Sequence, residues 1–397
     1  MKTLNTISSK TVVTAVGLMS GTSLDGIDAA VVTIEGCGLD SKVKLIQYVN
    51  KPYDPNFRER LKELCTLEHS NVALVCSMNF ELAERFAQAA IEAVQEAGMP
   101  LEAIDFISSH GQTVWHIPEN SADDPRLIRS TLQLGDLSVL AKRTGRIVVG
   151  DFRPADMAMN GQGAPLAPYG DLILFRQGDK GRILQNIGGI GNCTALPPGA
   201  GPEELLAFDT GPGNMLIDQA VQTLSGGQLM LDAGGAWASR GTPNEALLTE
   251  MLVHPYFKQA PPKSTGREVF GKAYAEHWIA KVKSAGCTDA DIVATATAFT
   301  ARSIADGYRR FVLPRYSIEE VIVTGGGAHN RTLMQMLRTL LPKQNVMTSN
   351  MLGFDDDAKE AVIFALLGND FLHGISSNLP AATGAHRATV LGKLALP

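Results

Sequence analysis

The stretch Ser20-Gly21-Thr22-Ser23-Leu24-Asp25-Gly26-Ile27-Asp28 holds two glycines, three hydroxyls and two carboxylates. Glycines let main-chain N–H groups converge on an anion, and hydroxyls add donors to phosphate oxygens. The carboxylates would repel a bare phosphate but suit one that arrives with Mg2+. Read alone, the stretch fits an ordinary hairpin loop and a phosphate loop equally. Asp209-Thr210-Gly211-Pro212-Gly213-Asn214 repeats the pattern of carboxylate, hydroxyl and glycine at the end of an apolar run. A carboxylate there can point into a cleft; the competing role is the N-cap of the following helix. In Thr324-Gly325-Gly326-Gly327-Ala328-His329-Asn330, three bare backbones let a flat nucleotide surface approach, and the next helix N-terminus favours anions. Neither G-x-G-x-x-G nor G-x-x-x-x-G-K-[ST] is matched, so the dinucleotide and P-loop readings fail on pattern.

Strands and helices must position these clusters. Apolar β-rich runs flank the opening turn within residues 12–34, and residues 43–52 can add a third strand stopped at Pro52. After residues 57–65 comes a long amphipathic run over 71–97 that reads as one helix, ended by Gly98 and Pro100. A short strand over 104–108 enters Ser109-His110-Gly111-Gln112-Thr113, a polar cluster placed where α/β folds put ligand contacts. Strands at 127–134 and 146–149 bracket a helix at 137–144. Two polar turns then carry Asp151, Arg153, Asp156 and Gln162, which reads as a binding loop more than a linker. Strands at 183–187, 193–196 and 205–208 echo the opening plan and hint at two related halves. Helical patterns cover 244–256, 268–285 and 289–311, with Lys263-Ser264-Thr265-Gly266-Arg267-Glu268 setting two cations beside hydroxyls. A strand at 319–323 precedes the triple glycine and a helix over 332–341. Asp355-Asp356-Asp357 is expected to cap a helix over 358–369 rather than to bind metal.

The chain has 397 residues, enough for two domains. A net charge of −6 and the lack of a long basic stripe argue against nucleic acid as a partner. No apolar run is long enough to span a bilayer, so no membrane partner is expected. The polar start MKTLNTISSK leads into an apolar segment without a small-residue cleavage site, so no signal peptide is expected. Cys37, Cys65, Cys76, Cys193 and Cys287 are scattered and fit no metal spacing. They read as reduced thiols of a cytoplasmic protein.

In this order the motifs resemble those of the anhydro-N-acetylmuramic acid kinases over nearly the full length. The resemblance rests on residues 17–28, 109–113, Asp151-Phe152-Arg153, Gly161-Gln162-Gly163-Ala164-Pro165, Asn186-Ile187-Gly188-Gly189, 208–214, 263–268 and 325–327. That family lies in the superfamily of sugar kinases, actin and heat-shock-chaperone ATPases. The implied fold is α/β: two actin-like ATPase (ribonuclease H-like) domains with a central nucleotide cleft. The expected division puts residues 1–145 with 376–397 in the first domain and 146–375 in the second. By resemblance ATP is held at Gly21, Thr22, Ser23, Leu24, Asp25, Gly26, Ile27 and Asp28, and at a second phosphate loop of Gly188, Gly189, Gly211, Gly213 and Asn214. Gly325, Gly326 and Gly327 would seat the adenosine. Where the wider superfamily usually carries an Asp, this chain has Met19, so Mg2+ must lean on Asp25 or Asp28 through water. Asn160 replaces another Gly, and Asn tolerates the left-handed conformation better than most residues.

The implied reaction opens the 1,6-anhydro bridge of anhydro-N-acetylmuramate and phosphorylates O6. Water attacks C1 while the departing O6 takes the γ-phosphoryl group, so one carboxylate base suffices. The resemblance assigns that role to Asp209. Thr113, Arg153, Gln162 and Glu360 are the sugar-contact candidates, and an Arg suits the lactyl carboxylate. A kinase of another anhydrosugar such as levoglucosan, or a non-catalytic ATP-driven switch, would share the fold. A Ser/His hydrolase through Ser109 and His110 fails for lack of a G-x-S-x-G elbow. A homodimer is the default assembly.

Overall fold

The computed structural model describes residues 6–120, 124–352 and 357–397. Two compact units divide the chain: Met1–Leu174 with Asp357–Pro397, and Phe175–Asp356. This differs from the expected division at 145/146 and 375/376, for a physical reason. Residues 147–150 form a strand inside the first sheet, and the helix Lys359–Leu372 packs on that same sheet.

In the first unit, β1 (Val12–Ser20), β2 (Gly26–Glu35) and β3 (Lys42–Pro52) form an antiparallel meander. β4 (Phe106–Ile117) lies parallel to β1, and β6 (Ile147–Gly150) parallel to β4. β5 (Ser130–Leu134) folds back on β4, and β12 (Lys393–Ala395) pairs antiparallel with β6. β1 is buried along nearly its whole length because helices cover both faces of the sheet. On one face Leu82, Phe86, Ala90 and Ala93 of the helix Val72–Glu96 meet Val16, Leu18, Val31 and Ile107. Each fully buried Leu or Phe contributes about 1.5–3 kcal/mol. The Asn71 cap, whose Oδ1 accepts from Leu74 N at 2.9 Å, contributes about 1 kcal/mol. Packing therefore holds this helix. On the other face the helix Lys359–Leu372 crosses β1 at Gly17, where any side chain would overlap the main chain of Ala361.

In the second unit, β7 (Arg182–Ile187), β8 (Ile190–Leu196) and β9 (Leu206–Pro212) form another antiparallel meander. β10 (Glu320–Thr324) and β11 (Asn345–Thr348) add parallel to β7. The order β9-β8-β7-β10-β11 repeats β3-β2-β1-β4-β6 strand for strand and direction for direction. The two related halves hinted at by the sequence are thus one topology built twice, the actin-like α/β plan. The helix Asp289–Gly307 is buried on almost every side and centres the helical layer, started by a capping box of Thr288 and Asp291.

Local differences matter for the site. Ser109–Thr113 lies inside β4 rather than after a short strand, with Gly111 at φ 74° beside irregular register. Asp209 lies inside β9, and the following helix begins at Met215 with Asn214, not Asp209, at its N-cap position, so the N-cap role for Asp209 is excluded. Helix Lys359–Leu372 starts at Ala358 without a side-chain cap; Asp355 and Asp356 lie outside the described residues. Among the described residues no helix is long and apolar enough to cross a membrane.

Candidate active site

The opening turn is a hairpin whose apolar residues face inward. Leu24 and Ile27 are buried in the core, so either could offer a nucleotide only main-chain groups, whereas Thr22, Ser23 and Asp25 are exposed. Ser20 is fully buried: its Oγ lies 2.7 Å from Gly26 O, 2.9 Å from Tyr53 Oη and 2.7 Å from Gln112 Oε1. Gln112 Nε2 donates to Gly21 O at 3.1 Å, which ties the turn to β4. Met19 pairs directly with Asp28 across the hairpin, so the two share a face. The carboxylate missing at position 19 therefore has a neighbour one strand away. Tyr48 Oη and Asn50 Nδ2 both donate to Asp28 Oδ1, at 2.5 and 2.8 Å. Burial raises the Asp28 pKa, with Asp25 and Asp357 adding to the effect and the two hydrogen bonds opposing it. Among the described residues no three His, Cys, Asp or Glu side chains gather to hold a metal. One or two carboxylates suffice for Mg2+, which keeps several waters and takes its remaining ligands from phosphates. Asp28 and Asp25 fit that pattern.

A second cluster in the same unit gathers Arg153, His110, Asp156, Gln162 and Glu360. Arg153 Nε donates to His110 Nε2 at 3.0 Å, and Nη1 donates to Gly163 O at 2.8 Å. His110 must then carry its proton on Nδ1, which donates to Gly111 O at 2.9 Å. Burial, then the Arg153 charge, pushes the His110 pKa down to about 3. Burial also lowers Arg153, while Glu360 and Asp156 oppose that shift. Glu360 keeps an open surface, yet desolvation of its carboxyl raises its pKa. Asp28 and Asp171 act in the same direction, against Lys359 and Arg153. Asp156 is fully buried and accepts from Gly163 N at 2.8 Å, Asn378 Nδ2 at 2.8 Å and Thr383 Oγ1 at 2.7 Å. These bonds shape the loop that exposes Gln162 between two buried glycines, with Asn160 left-handed at φ 65° as the substitution for Gly allows. Thr113 Oγ1 accepts from Gln133 Nε2 at 3.1 Å and is tied to the hairpin network through Gln112.

The His110 arrangement has a pH consequence. Its folded pKa lies below the ordinary 6.5, so the unfolded chain binds more protons between about pH 6.5 and pH 3. Stability present above pH 6.5 is lost as pH falls through that window, by on the order of a few kcal/mol. Thermal melting between pH 7 and pH 4 should show the loss, and His110→Gln, which takes up no proton, should flatten the curve.

In the second unit, strand register builds a polar row. Thr324 pairs with Asn186, Asn186 with Asn192, and Asn192 with Asp209, so all four share one face of the sheet. Sequence reading singled out Asp209 but missed Asn192, which only the register identifies. Among the described residues, Lys263, Tyr256 and Thr265 each hold Asp209 by a hydrogen bond. Its N–H donates to Lys263 O at 3.0 Å, its carbonyl accepts from Tyr256 Oη at 2.6 Å, and Oδ2 accepts from Thr265 N at 2.9 Å.

The β7–β8 turn, Gly188-Gly189, occupies the place that the opening turn holds in the first sheet. Gly213 N donates to Gly189 O at 2.9 Å, and Asn214 N to Gly188 O at 2.7 Å. A side chain at Gly213 would overlap Gly188 O. Those two N–H groups are spent inside the protein, and Gly211 is buried in β9 against Phe257. Of the five residues expected at this loop, Gly189 is the exposed one. Gly325 and Gly327 are glycines because side chains there would strike Asn186 and Ile187; Gly326 offers the exposed backbone, beside Asn214 Nδ2.

Comparison with known proteins fits this geometry. A family model described as anhydro-N-acetylmuramic acid kinase matches residues 13–396. An anhydro-N-acetylmuramic acid kinase of Caldanaerobacter subterraneus subsp. tengcongensis is 47% identical over 381 residues, 96% of each chain. One of Bacillus cereus is 45% identical over 383 residues, 96% of this chain and 98% of the relative. With paired actin-like sheets, glycine turns at the equivalent strand ends and a carboxylate fixed on β9, the chain belongs to the anhydro-N-acetylmuramic acid kinase family.

Proposed function

We propose that the chain is an ATP-dependent kinase that hydrolytically opens 1,6-anhydro-N-acetylmuramic acid and phosphorylates O6. The products are N-acetylmuramic acid 6-phosphate and ADP. The observation that carries the chemistry is the Asp209 carboxylate, anchored through Oδ2 and both main-chain groups in a row of neutral polar residues. Such a group can take a proton from water as it adds to C1, while O6 leaves onto the γ-phosphorus. No separate general acid is needed, because the leaving oxygen is itself the phosphoryl acceptor. The exposed backbone at Gly189 and Gly326 and the donors Thr22 and Ser23 bind the nucleotide, where phosphoryl transfer asks mainly for positioning and charge stabilisation. Asp28 and Asp25 would hold Mg2+, which when bound neutralises phosphate charge.

Thr113, Arg153, Gln162 and Glu360 are assigned to the sugar. Arg153 commits Nε to His110 and one N–H of Nη1 to Gly163, so a lactyl carboxylate would be met by Nη2 and the second N–H of Nη1 rather than by the Nε side of the guanidinium. We place the enzyme in the cytoplasm as a homodimer, with amino-sugar recycling from peptidoglycan as its setting. The test is mass spectrometry of products formed from the anhydrosugar and MgATP in heavy-oxygen water. Label should appear at the C1 hydroxyl, read before anomeric exchange. Label in phosphate would instead mean simple ATP hydrolysis and would sink the reading. ADP release with levoglucosan, which lacks the carboxylate and amide, should be far slower.

A further inference from the structure

The sheet face that carries Asp209 is covered along part of its length and opens at one row. Leu184 pairs with Thr194 on that face, and both are buried. One step along, Asn186 and Asp209 are half-buried, and Asn192 between them is the single exposed residue of β8. Asn is depleted in strands, so one in the middle of a strand needs a reason. Asn186 has one: its Oδ1 fills the space where a Gly325 side chain would stand and accepts from Thr324 Oγ1 at 3.5 Å. The Asn192 amide makes no hydrogen bond among the described residues. A residue that breaks a local preference without a structural return is where function is to be sought.

The cross-strand partner of Asn192 is Asp209 itself. Directly paired residues hold their Cβ atoms about 4.5–5.5 Å apart on one face, so a single small molecule can touch both side chains. The pairing skips Thr210, a bulge immediately beside Asp209, of the kind that re-aims a side chain. The carboxylate is thus flanked on two sides. Thr265 N donates to Oδ2 from beyond the edge strand β9, and Asn192 stands on the inner strand.

We propose that Asn192 is a second catalytic residue: its side-chain carbonyl oxygen accepts the proton of the nucleophilic water that Asp209 does not remove. The inference rests on Asp209 being the base. Water reaches C1 through a lone pair, so both of its O–H bonds must be directed elsewhere. Asp209 takes one proton as the bond from water oxygen to C1 forms and the C1–O6 bond breaks. O6 bonds to the γ-phosphorus as ADP leaves, and the other proton stays on the new C1 hydroxyl. A second carboxylate facing that proton would raise the pKa of the first, whereas an amide accepts through Oδ1 without adding charge.

The experiment measures kcat, the KM for ATP, melting temperature and the pH profile of kcat/KM for Asn192→Ala and Asn192→Asp beside the wild type. Asn192→Ala should lose about ten- to a hundredfold in kcat, with the KM for ATP unchanged. It should melt with the wild type, since the exposed amide bonds nothing in the fold. Asn192→Asp keeps an acceptor of the same length, so at pH 8 it should turn over faster than Asn192→Ala. Its acidic limb should move up by about one pH unit, because two facing carboxylates resist joint ionisation. The other titratable groups facing Asp209 are Lys263, Tyr256 and Cys193. Burial pushes Lys263 down to about 8 and drives the phenol and the thiol far above their ordinary ranges, so none of them changes charge in the acid range.

An Asn192→Asp limb in the wild-type position would show that the two side chains do not face one site, and would overturn the proposal. So would Asn192→Ala turnover within about twofold of wild type, a deficit confined to the KM for ATP, or one matched by a fall in melting temperature. Asp209→Asn separates the two layers. Near-normal turnover in that variant removes the base assignment and this inference together. An inactive Asp209→Asn beside a fully active Asn192→Ala removes this inference alone.

Discussion

Replacing Asp209 by Asn should lower kcat by roughly a hundred- to ten-thousand-fold, the usual worth of a general base, with nucleotide affinity unchanged. The geometry makes this substitution a clean one. Asp209 N and O are held through the main chain by Lys263 and Tyr256, whatever the side chain. An Asn side-chain oxygen can still accept the Thr265 N–H that Oδ2 accepts now, so the 263–265 segment keeps its seat. Asp209→Ala would be less informative, because an N–H stripped of its acceptor costs about 1–3 kcal/mol where it is buried. Gly188, Gly189 and Gly326, which we assign to the nucleotide, form no bond to the Asp209 side chain. Steady-state rates with saturating anhydrosugar and a separate nucleotide titration provide the check. Turnover within about tenfold of wild type would mean that another group takes the proton.

How far the sequence foretold this site depended on the range of the interactions that build it. The opening hairpin, the third strand and the helix at 137–144 were legible because each is announced locally, by apolar runs around a glycine turn or by an Asp136 cap. Asn160 was legible for the same reason: one residue's tolerance of positive φ answers one turn. Ser109–Thr113 and Asp209–Gly211 looked like turns because glycine and polar residues break a local strand pattern. Both are interior to strands, since β4 runs on into a hairpin with β5, and β8 supplies a partner for β9. The use of Gly213 and Asn214 main-chain donors within the protein is a contact of distant segments, and no local pattern carries it. Nor could spacing show that Lys263, in a loop already marked by its cations and hydroxyls, reaches back to rings on β9 and beyond the helix Asp289–Gly307. The unit boundaries went the same way. Strand β6 is only four residues long, and its membership of the first sheet is decided by β4 and the three-residue β12.

Asp156→Ala should destabilise the first unit by about 3–5 kcal/mol, as expected when a buried, hydrogen-bonded charge is removed from its partners. The carboxylate is wholly buried, and all three groups bonded to it donate: Gly163 N, Asn378 Nδ2 and Thr383 Oγ1. Removing it leaves those donors facing a void and frees the loop that presents Gln162, so sugar affinity should fall with stability. For a unit of this size each kcal/mol moves the melting temperature by about 2–4 °C, which puts the expected drop near 10 °C. Asp156→Asn tests the argument more finely. An amide nitrogen would face a donor in either orientation. Turning Asn378 to meet it would break the bond from Thr389 N to Asn378 Oδ1, now 2.6 Å long. Thr383 is the one neighbour able to accept instead, by turning its hydroxyl proton toward Leu379 O, 3.3 Å away. The Asn variant should therefore lie between wild type and Ala, losing about 1–3 kcal/mol. Nucleotide binding at the second-unit turns should be unaffected in both, because no bond of Asp156 reaches Gly188, Gly189 or Gly326. An Asp156→Ala protein that melts within about 2 °C of wild type would show that the loop holds itself, and that the buried carboxylate is not its organiser.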